Sequence, residues 1–124
     1  MMVPGNLLDG VAEGLPDELI ETLAGAGGVR IERIVSKGHS SPDGFWYDQE
    51  SWEWVMVVTG AARLRMEREP EPLSLGPGDY ATIPPHTRHR VDWTDPEVDT
   101  VWLAVHYPPG PTRPEIHGAA GECR

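Results

Sequence analysis

Two stretches of this chain combine side chains that could do chemistry. The first, Trp46-Tyr47-Asp48-Gln49-Glu50-Ser51-Trp52-Glu53-Trp54-Val55-Met56-Val57-Val58-Thr59-Gly60, sets carboxylates, an amide and aromatics just ahead of an apolar run. The second, Gly78-Asp79-Tyr80-Ala81-Thr82-Ile83-Pro84-Pro85-His86-Thr87-Arg88-His89-Arg90-Val91, brackets a short apolar segment between turn signals and carries two histidines. A carboxylate beside an imidazole can pass a proton, and with further oxygen donors the pair can hold a divalent cation. Both residues also have ordinary uses. An acid heading a strand usually sits at a solvent-exposed edge, because an unpaired buried carboxylate is costly. A lone inward histidine is more often hydrogen-bonded in a core than bound to metal. The chemistry therefore requires the two stretches to converge.

Strand periodicity gives the orientation of each. With a side-chain period of two, Glu53, Val55 and Val57 share one face and Trp54, Met56 and Val58 the other, which predicts a strand covered on both sides. In the second stretch His89, Val91 and Trp93 share a face opposite the polar set Arg90, Asp92 and Thr94, so His89 is expected to point inward with Trp93. His39 and His86 read as loop residues, with His86 close enough to line an entrance. His106 ends the last strand with its face unassigned, and His117 lies in the tail. Trp46 and Tyr47, just outside the acid-bearing strand, are candidates for an apolar wall against a small ligand, or for packing between protomers.

The elements that must position these residues are short strands punctuated by glycine and proline. They run from Val29 to Val35, Glu53 to Thr59, Ala62 to Glu67, Pro72 to Leu75, Tyr80 to Ile83, His89 to Thr94 and Thr100 to Tyr107. Gly60 and Gly76-Pro77-Gly78-Asp79 mark turns. Such spacing indicates an all-β sandwich or barrel. Ahead of it, Leu15-Pro16-Asp17-Glu18-Leu19-Ile20-Glu21-Thr22-Leu23 predicts a short N-terminal helix: Pro16 and the acids suit its start, Leu15, Leu19, Ile20 and Leu23 form one face, and Gly25, Gly27 and Gly28 stop it. The organisation read from this is a lead-in with its helix over 1–28, a β-barrel over 29–107 and a flexible Pro/Gly-rich tail over 108–124.

Composition narrows the function classes. The chain has 124 residues, enough for one modest core, and 20 acidic against 10 basic residues, a net charge of −10. That balance argues against general affinity for nucleic acid or anionic membranes. No apolar run is long enough for a membrane span and the N-terminus lacks a signal-peptide pattern, so the expected location is cytoplasmic. Cys123 is the single cysteine, which excludes an internal disulfide.

The two stretches together resemble the paired motifs of the cupin family. Glu53, six residues and Gly60 resemble the end of the first motif, G(x)5HxH(x)3–4E(x)6G. Gly78, five residues, Pro84 and then His89 resemble the second, G(x)5PxG(x)2H(x)3N. The resemblance spans about residues 29 to 107 and implies a double-stranded β-helix, a jelly-roll barrel. In cupins two histidines and a glutamate of the first motif join a histidine of the second around a divalent metal. Here Glu53 and His89 match directly, whereas both motif-one histidines are replaced: by Trp46 and Asp48 if four residues precede Glu53, or by Tyr47 and Gln49 if three do. His86 stands in place of the motif-two glycine, and Trp93 in place of the asparagine. The resemblance thus implies a metal set of Asp48, Glu53 and His89, with Gln49 as the alternative oxygen donor, suited to Zn, Mn, Fe or Ni. Trp46, Tyr47 and His86 are the expected substrate contacts. The implied function is binding of a small organic molecule in the barrel by a homodimeric metal-binding cupin, with metal-dependent isomerase, lyase or oxygenase chemistry available. The alternatives are a metal-free binding or sensing module, in which Glu53 and His89 form a hydrogen-bonded pair, or a protein whose aromatic surface serves oligomerisation alone.

Overall fold

The computed structural model describes residues 1–11 and 17–110. Eight strands follow one another: β1 Leu19–Ala26, β2 Val29–Ser36, β3 Trp52–Thr59, β4 Ala62–Met66, β5 Leu73–Leu75, β6 Tyr80–Ile83, β7 His89–Thr94 and β8 Thr100–Tyr107. They form a five-stranded sheet in the order β1-β2-β8-β3-β6 and a three-stranded sheet in the order β5-β4-β7. Every strand pairing is antiparallel. Val55, Val57, Ile83, Trp102 and Ala104 from the first sheet pack on Ala62, Leu64 and Leu75 from the second. Each such fully buried aliphatic side chain contributes on the order of 1.5–3 kcal/mol, and the two inner faces together make the core. The fold is the all-β jelly-roll architecture that the resemblance implies.

The expected N-terminal helix is absent from residues 17–23, and Leu19–Ala26 instead pairs along β2. Leu15 and Pro16, its expected start, lie outside the described residues. The glycines form a turn and not a helix stop. Gly27 and Gly28 have φ values of 59° and 85° and join the directly paired Ala26 and Val29. Two consecutive positive φ angles make the two-residue hairpin turn whose twist matches flanking strands, so the glycines connect strands rather than stop a helix. A nine-residue helix has marginal stability alone, whereas β1 gains a ladder and a charge partner. Across that ladder Glu21 sits opposite the buried Arg33 and accepts from its Nε at 2.6 Å, and Arg33 also binds the carbonyls of Leu7 and Asp9. The segment before β1 is thereby tied to the outer side of β2.

Two further features shape the barrel. Gly60, in the β3–β4 turn, has φ of 91°, and a Cβ there would meet Thr100 Oγ1 at 2.4 Å and Thr100 Cα at 2.6 Å. Only glycine permits that turn to lie against β8. The β4–β7 ladder shifts register between Arg63 and Leu64, so that Leu64 faces Val91 while Arg63 faces Trp93, with Asp92 as the extra residue. This bulge overturns the expected alternation beyond Val91. Trp93 stacks under the Arg63 guanidinium at 4.5 Å rather than pointing inward with His89, and Thr94 is the residue that becomes buried. Asp92 is held by Arg65 at 2.7 Å and by Arg90 at 3.0 Å. Burial works against its ionisation, but these two guanidiniums outweigh it and lower the Asp92 pKa. Coverage of β3 is also one-sided: Glu53, Val55 and Val57 are buried, whereas Trp52, Trp54, Met56 and Val58 stay half-exposed.

Candidate functional site

The strand registers bring one end of four strands together. Glu53 on β3 lies opposite His106 on β8, and β8 pairs with β2 so that Arg30 faces His106 and Glu32 faces Ala104. His89 opens β7 and bridges backbone to backbone with Tyr47. Tyr47 N–H donates to the His89 carbonyl at 2.7 Å and His89 N–H returns a bond to the Tyr47 carbonyl at 3.1 Å. That bridge carries the segment before β3 across the mouth of the barrel.

A cavity of about 190 Å³ opens inside. Following each strand inward, its lining changes from polar to apolar: Arg30 and Glu32 give way to Ile34, Glu53 to Val55, His89 to Val91 and His106 to Trp102. Leu64 and Ile83 complete the apolar floor, while Glu18, Tyr47 and Gln49 complete the polar end. The sequence produces this by placing its charged residues at the same end of antiparallel neighbours. In β2 and β3 they come first in the strand, and in β8 last.

Four ionisable side chains form a buried ring at the polar end. Glu32 is 9% exposed, Glu53 8%, His89 4% and His106 5%, too little for bulk water to solvate them. They satisfy one another instead. His89 Nε2 lies 3.4 Å from Glu53 Oε1, and His106 Nε2 lies 3.2 Å from Glu32 Oε1 and 4.0 Å from Glu53 Oε2. His89 Nδ1 donates to the Thr87 carbonyl at 2.7 Å, which fixes the ring and turns Nε2 toward Glu53. Arg30 Nε donates to Glu32 Oε2 at 2.7 Å from the rim. Tyr47 stacks on the His89 ring, with centroids 5.4 Å apart. Among the described residues two buried side-chain atoms have no partner: Gln49 Oε1 and His106 Nδ1.

The electrostatics follow. Burial alone pulls the His89 pKa down, but the Glu53 hydrogen bond, the Thr87 carbonyl and the charges of Glu53 and Asp48 outweigh it, so the net shift is upward. The imidazolium form is therefore favoured at higher pH than for a free histidine. Burial raises the Tyr47 pKa, and Glu18, Glu53 and Glu32 raise it further, so its phenol stays protonated. The site brings a carboxyl group (Glu53), an imidazole biased toward its protonated form (His89) and a neutral phenol (Tyr47) around one small space.

Of the residues singled out from the sequence, Glu53, His89, Tyr47 and Gln49 meet at the cavity. The backbone thus presents the alternates of the three-residue register, Tyr47 and Gln49, to the interior. Asp48 is not brought to Glu53 and His89: its Oδ1 lies 2.8 Å from His86 Nδ1, in an exposed pair outside the lining. Trp46 lies beneath the Arg88 and Arg90 guanidiniums, 5.9 and 6.0 Å from its ring, also outside the lining. His86 occupies the place of the motif-two glycine with a φ of 59°, keeping the left-handed backbone that position requires. His39 is turned away, its Nδ1 accepting from the Lys37 N–H at 2.9 Å. His117 and Cys123 lie outside the described residues. Sequence reasoning missed Glu32 and Arg30, and left the face of His106 open. The usable signal was parity: Trp102, Ala104 and His106 alternate on one face, as do Arg30, Glu32 and Ile34.

The donor chemistry of Glu53, His89 and His106 suits a divalent cation. Yet among the described residues no three His, Cys, Asp or Glu side chains stand in metal-ligand geometry. Instead His106 is hydrogen-bonded to Glu32, and His89 Nε2 lies 3.4 Å from Glu53 as an ion-pair contact.

Comparison with known proteins settles the family. The cupin-domain profile matches residues 32–106, more than half of the chain. The chain belongs to the cupin family. This cupin is 48% identical to a protein from Ralstonia eutropha JMP134 described as a "putative mannose-6-phosphate isomerase", over 86% of this chain and 99% of the other, with a TM-score of 0.85. It also resembles a cupin superfamily protein from Desulfitobacterium hafniense DCB-2 at 16% identity, with a TM-score of 0.65 over 79% and 84% of the two chains. The polyketide cyclase RemF from Streptomyces resistomycificus is similar at 22% identity, with a TM-score of 0.67 over 86% and 79%. These last two likenesses show the fold alone. Among curated proteins the sequence has no match. No helix among the described residues is long and apolar enough to cross a membrane.

Proposed function

We propose that this cupin binds a small organic molecule bearing a hydroxyl or carbonyl group in its barrel and moves a proton on it. The observation that carries this reading is the burial of Glu32, Glu53, His89 and His106 in one ring at the end of a cavity. Buried ionic groups are often no more stabilising than a well-packed apolar substitute, so four of them facing a cavity favour a working site over a structural one. In the reaction, the Glu53 carboxylate takes a proton from the carbon next to a carbonyl. The His89 imidazolium, fixed by Thr87, donates a hydrogen bond to the oxygen on which negative charge develops. Transfer of the His89 proton to that oxygen gives the enol, and the proton held by Glu53 passes back to His89, 3.4 Å away, so keto and enol forms interconvert with no change in oxidation state. The name given to the Ralstonia protein, an isomerase, agrees with this class.

The second reading is a metal centre, favoured by one observation. His89 commits Nδ1 to a backbone carbonyl and turns Nε2 inward, as ligating histidines do. Glu53, His89 and His106 would hold the ion after a shift from their present pairs, with Gln49 Oε1 as a further oxygen donor. When bound, such an ion polarises a carbonyl oxygen.

Both readings are tested together. Ligand-observed NMR with neutral hydroxy and oxo compounds should detect binding that weakens in Glu53→Gln and His89→Asn, and deuterium should enter next to the carbonyl of bound ketones in D2O. Binding that is unchanged in both variants refutes the site. Elemental analysis separates the readings: stoichiometric metal, lost in His89→Asn and His106→Asn, would favour the second over the first.

A further inference from the structure

The cavity also carries information on what kind of molecule fits it, an inference that rests on the ligand-site reading above. Its volume of about 190 Å³ exceeds by a little the ~150 Å³ of an apolar protein cavity that accepts benzene. A six-membered ring with one polar substituent therefore fills it. The two ends differ in what they can satisfy. The floor of Ile34, Val55, Leu64, Ile83, Val91 and Trp102 offers side chains with no free hydrogen-bonding group, since the Trp102 indole N–H is already committed to Ser36 Oγ at 3.2 Å. Hydroxyl groups pressed against it would lose water without replacement, which costs on the order of 1–3 kcal/mol each.

The charge of the lining points the same way. Among the described residues three carboxylates, Glu18, Glu32 and Glu53, line the cavity, with Arg30 as the single guanidinium and no lysine. Arg30 is already bound to Glu32 at 2.7 Å. A phosphate or carboxylate on the ligand would meet three like charges, while the cations beside them, Arg30 and a protonated His89, are already paired with Glu32 and Glu53. A neutral hydroxyl brings no charge to be repelled and can donate to the Glu53 carboxylate at the ring.

We propose that the site takes a ring-sized, mainly apolar alcohol, phenol or ketone with no anionic group, seated with its apolar end on the Trp102 floor and its oxygen at the Glu53–His89 ring. A sugar phosphate, polar on all sides and anionic, is the wrong shape of chemistry for this cavity, in contrast to the substrate in the name of the Ralstonia protein.

The test measures binding of phenol, cyclohexanone and mannose 6-phosphate to the full chain by isothermal calorimetry and by Trp102 fluorescence, with Trp102→Phe identifying the signal. Phenol and cyclohexanone should each bind at least ten times more tightly than mannose 6-phosphate. Val91→Thr, which puts a hydroxyl on the floor at nearly constant volume, should weaken phenol about five- to tenfold while still unfolding in one cooperative transition. Equal or tighter binding of mannose 6-phosphate overturns the inference and leaves the ligand-site reading standing. Binding of none of the three overturns the inference too, and the Glu53→Gln and His89→Asn measurements then decide the fate of the site separately. A Val91→Thr variant that folds normally and binds phenol as wild type does would also overturn it.

Discussion

Glu53→Gln isolates the electrostatics of the buried ring, because it keeps shape and hydrogen-bonding capacity but removes a charge. In the native site Glu53 Oε1 lies 3.4 Å from His89 Nε2, with side chains 11% and 6% exposed. At that separation, and with an effective dielectric constant of about 20, the gross attraction between carboxylate and imidazolium is about 5 kcal/mol. Dehydration of both ions offsets much of it, and the amide retains part of the contact. A net loss of about 2 kcal/mol is expected where His89 is charged. The sign with pH follows from the direction of the shift. The folded-state pKa of His89 is raised, so the contribution is fully present below the ordinary value of about 6.5 and disappears as pH rises through the folded value. Urea unfolding at pH 6 should show the loss of about 2 kcal/mol, a fall of roughly 6–10 °C in Tm for a chain of this size, and at pH 9 the loss should shrink to under about 1 kcal/mol. NMR titration of the His89 ring protons gives an independent readout. In the variant, burial is no longer outweighed by Glu53, and the midpoint should drop toward or below the ordinary histidine value. An unchanged midpoint, or a stability loss of equal size at both pH values, would refute the assignment of Glu53 and His89 as a charge-coupled pair.

Other substitutions probe the scaffold. Gly60→Ala forces a Cβ to within 2.4–2.8 Å of Thr100 and Asp99 at a φ of 91°. It should cost more than about 2 kcal/mol in thermal unfolding, and a loss below 1 kcal/mol would mean that the turn relaxes freely. Ser36→Ala removes the oxygen that accepts from Trp102 Nε1 at 3.2 Å and donates to Glu18 Oε2 at 2.7 Å. Leaving the indole N–H buried and unpaired should cost about 1–3 kcal/mol, measured as a shift in urea midpoint at constant slope. At position 86 the backbone and the side chain can be separated. Since φ is 59° there and the Asp48 pair is exposed, His86→Gly should be more stable than His86→Ala by about 1 kcal/mol. The reverse order would show that the left-handed turn is not retained.

Local pattern settled a large part of this molecule. Period-two alternation sets the inward face of β3 and hence the direction of Glu53, and the same alternation turns His89 inward at the start of β7. Gly60 and the Gly78 to His89 spacing mark the family because each residue type answers a local steric or turn requirement. Four outcomes depended on tertiary contacts. Residues 19–26 became a strand because β2 offers a ladder and a buried Arg33, a gain no sequence window contains. Trp93 left the inner face because β7 bulges against β4 at Asp92. Gln49 rather than Asp48 reached the cavity because the Tyr47–His89 backbone bridge fixes the parity of the segment before β3. Glu32 and His106 joined Glu53 because β8 lies between β2 and β3, in a register set across more than fifty residues of chain. Side-chain direction within a strand is a local property of the backbone. Convergence of charges from separate strands is a property of the register between them, and only the folded barrel fixes that.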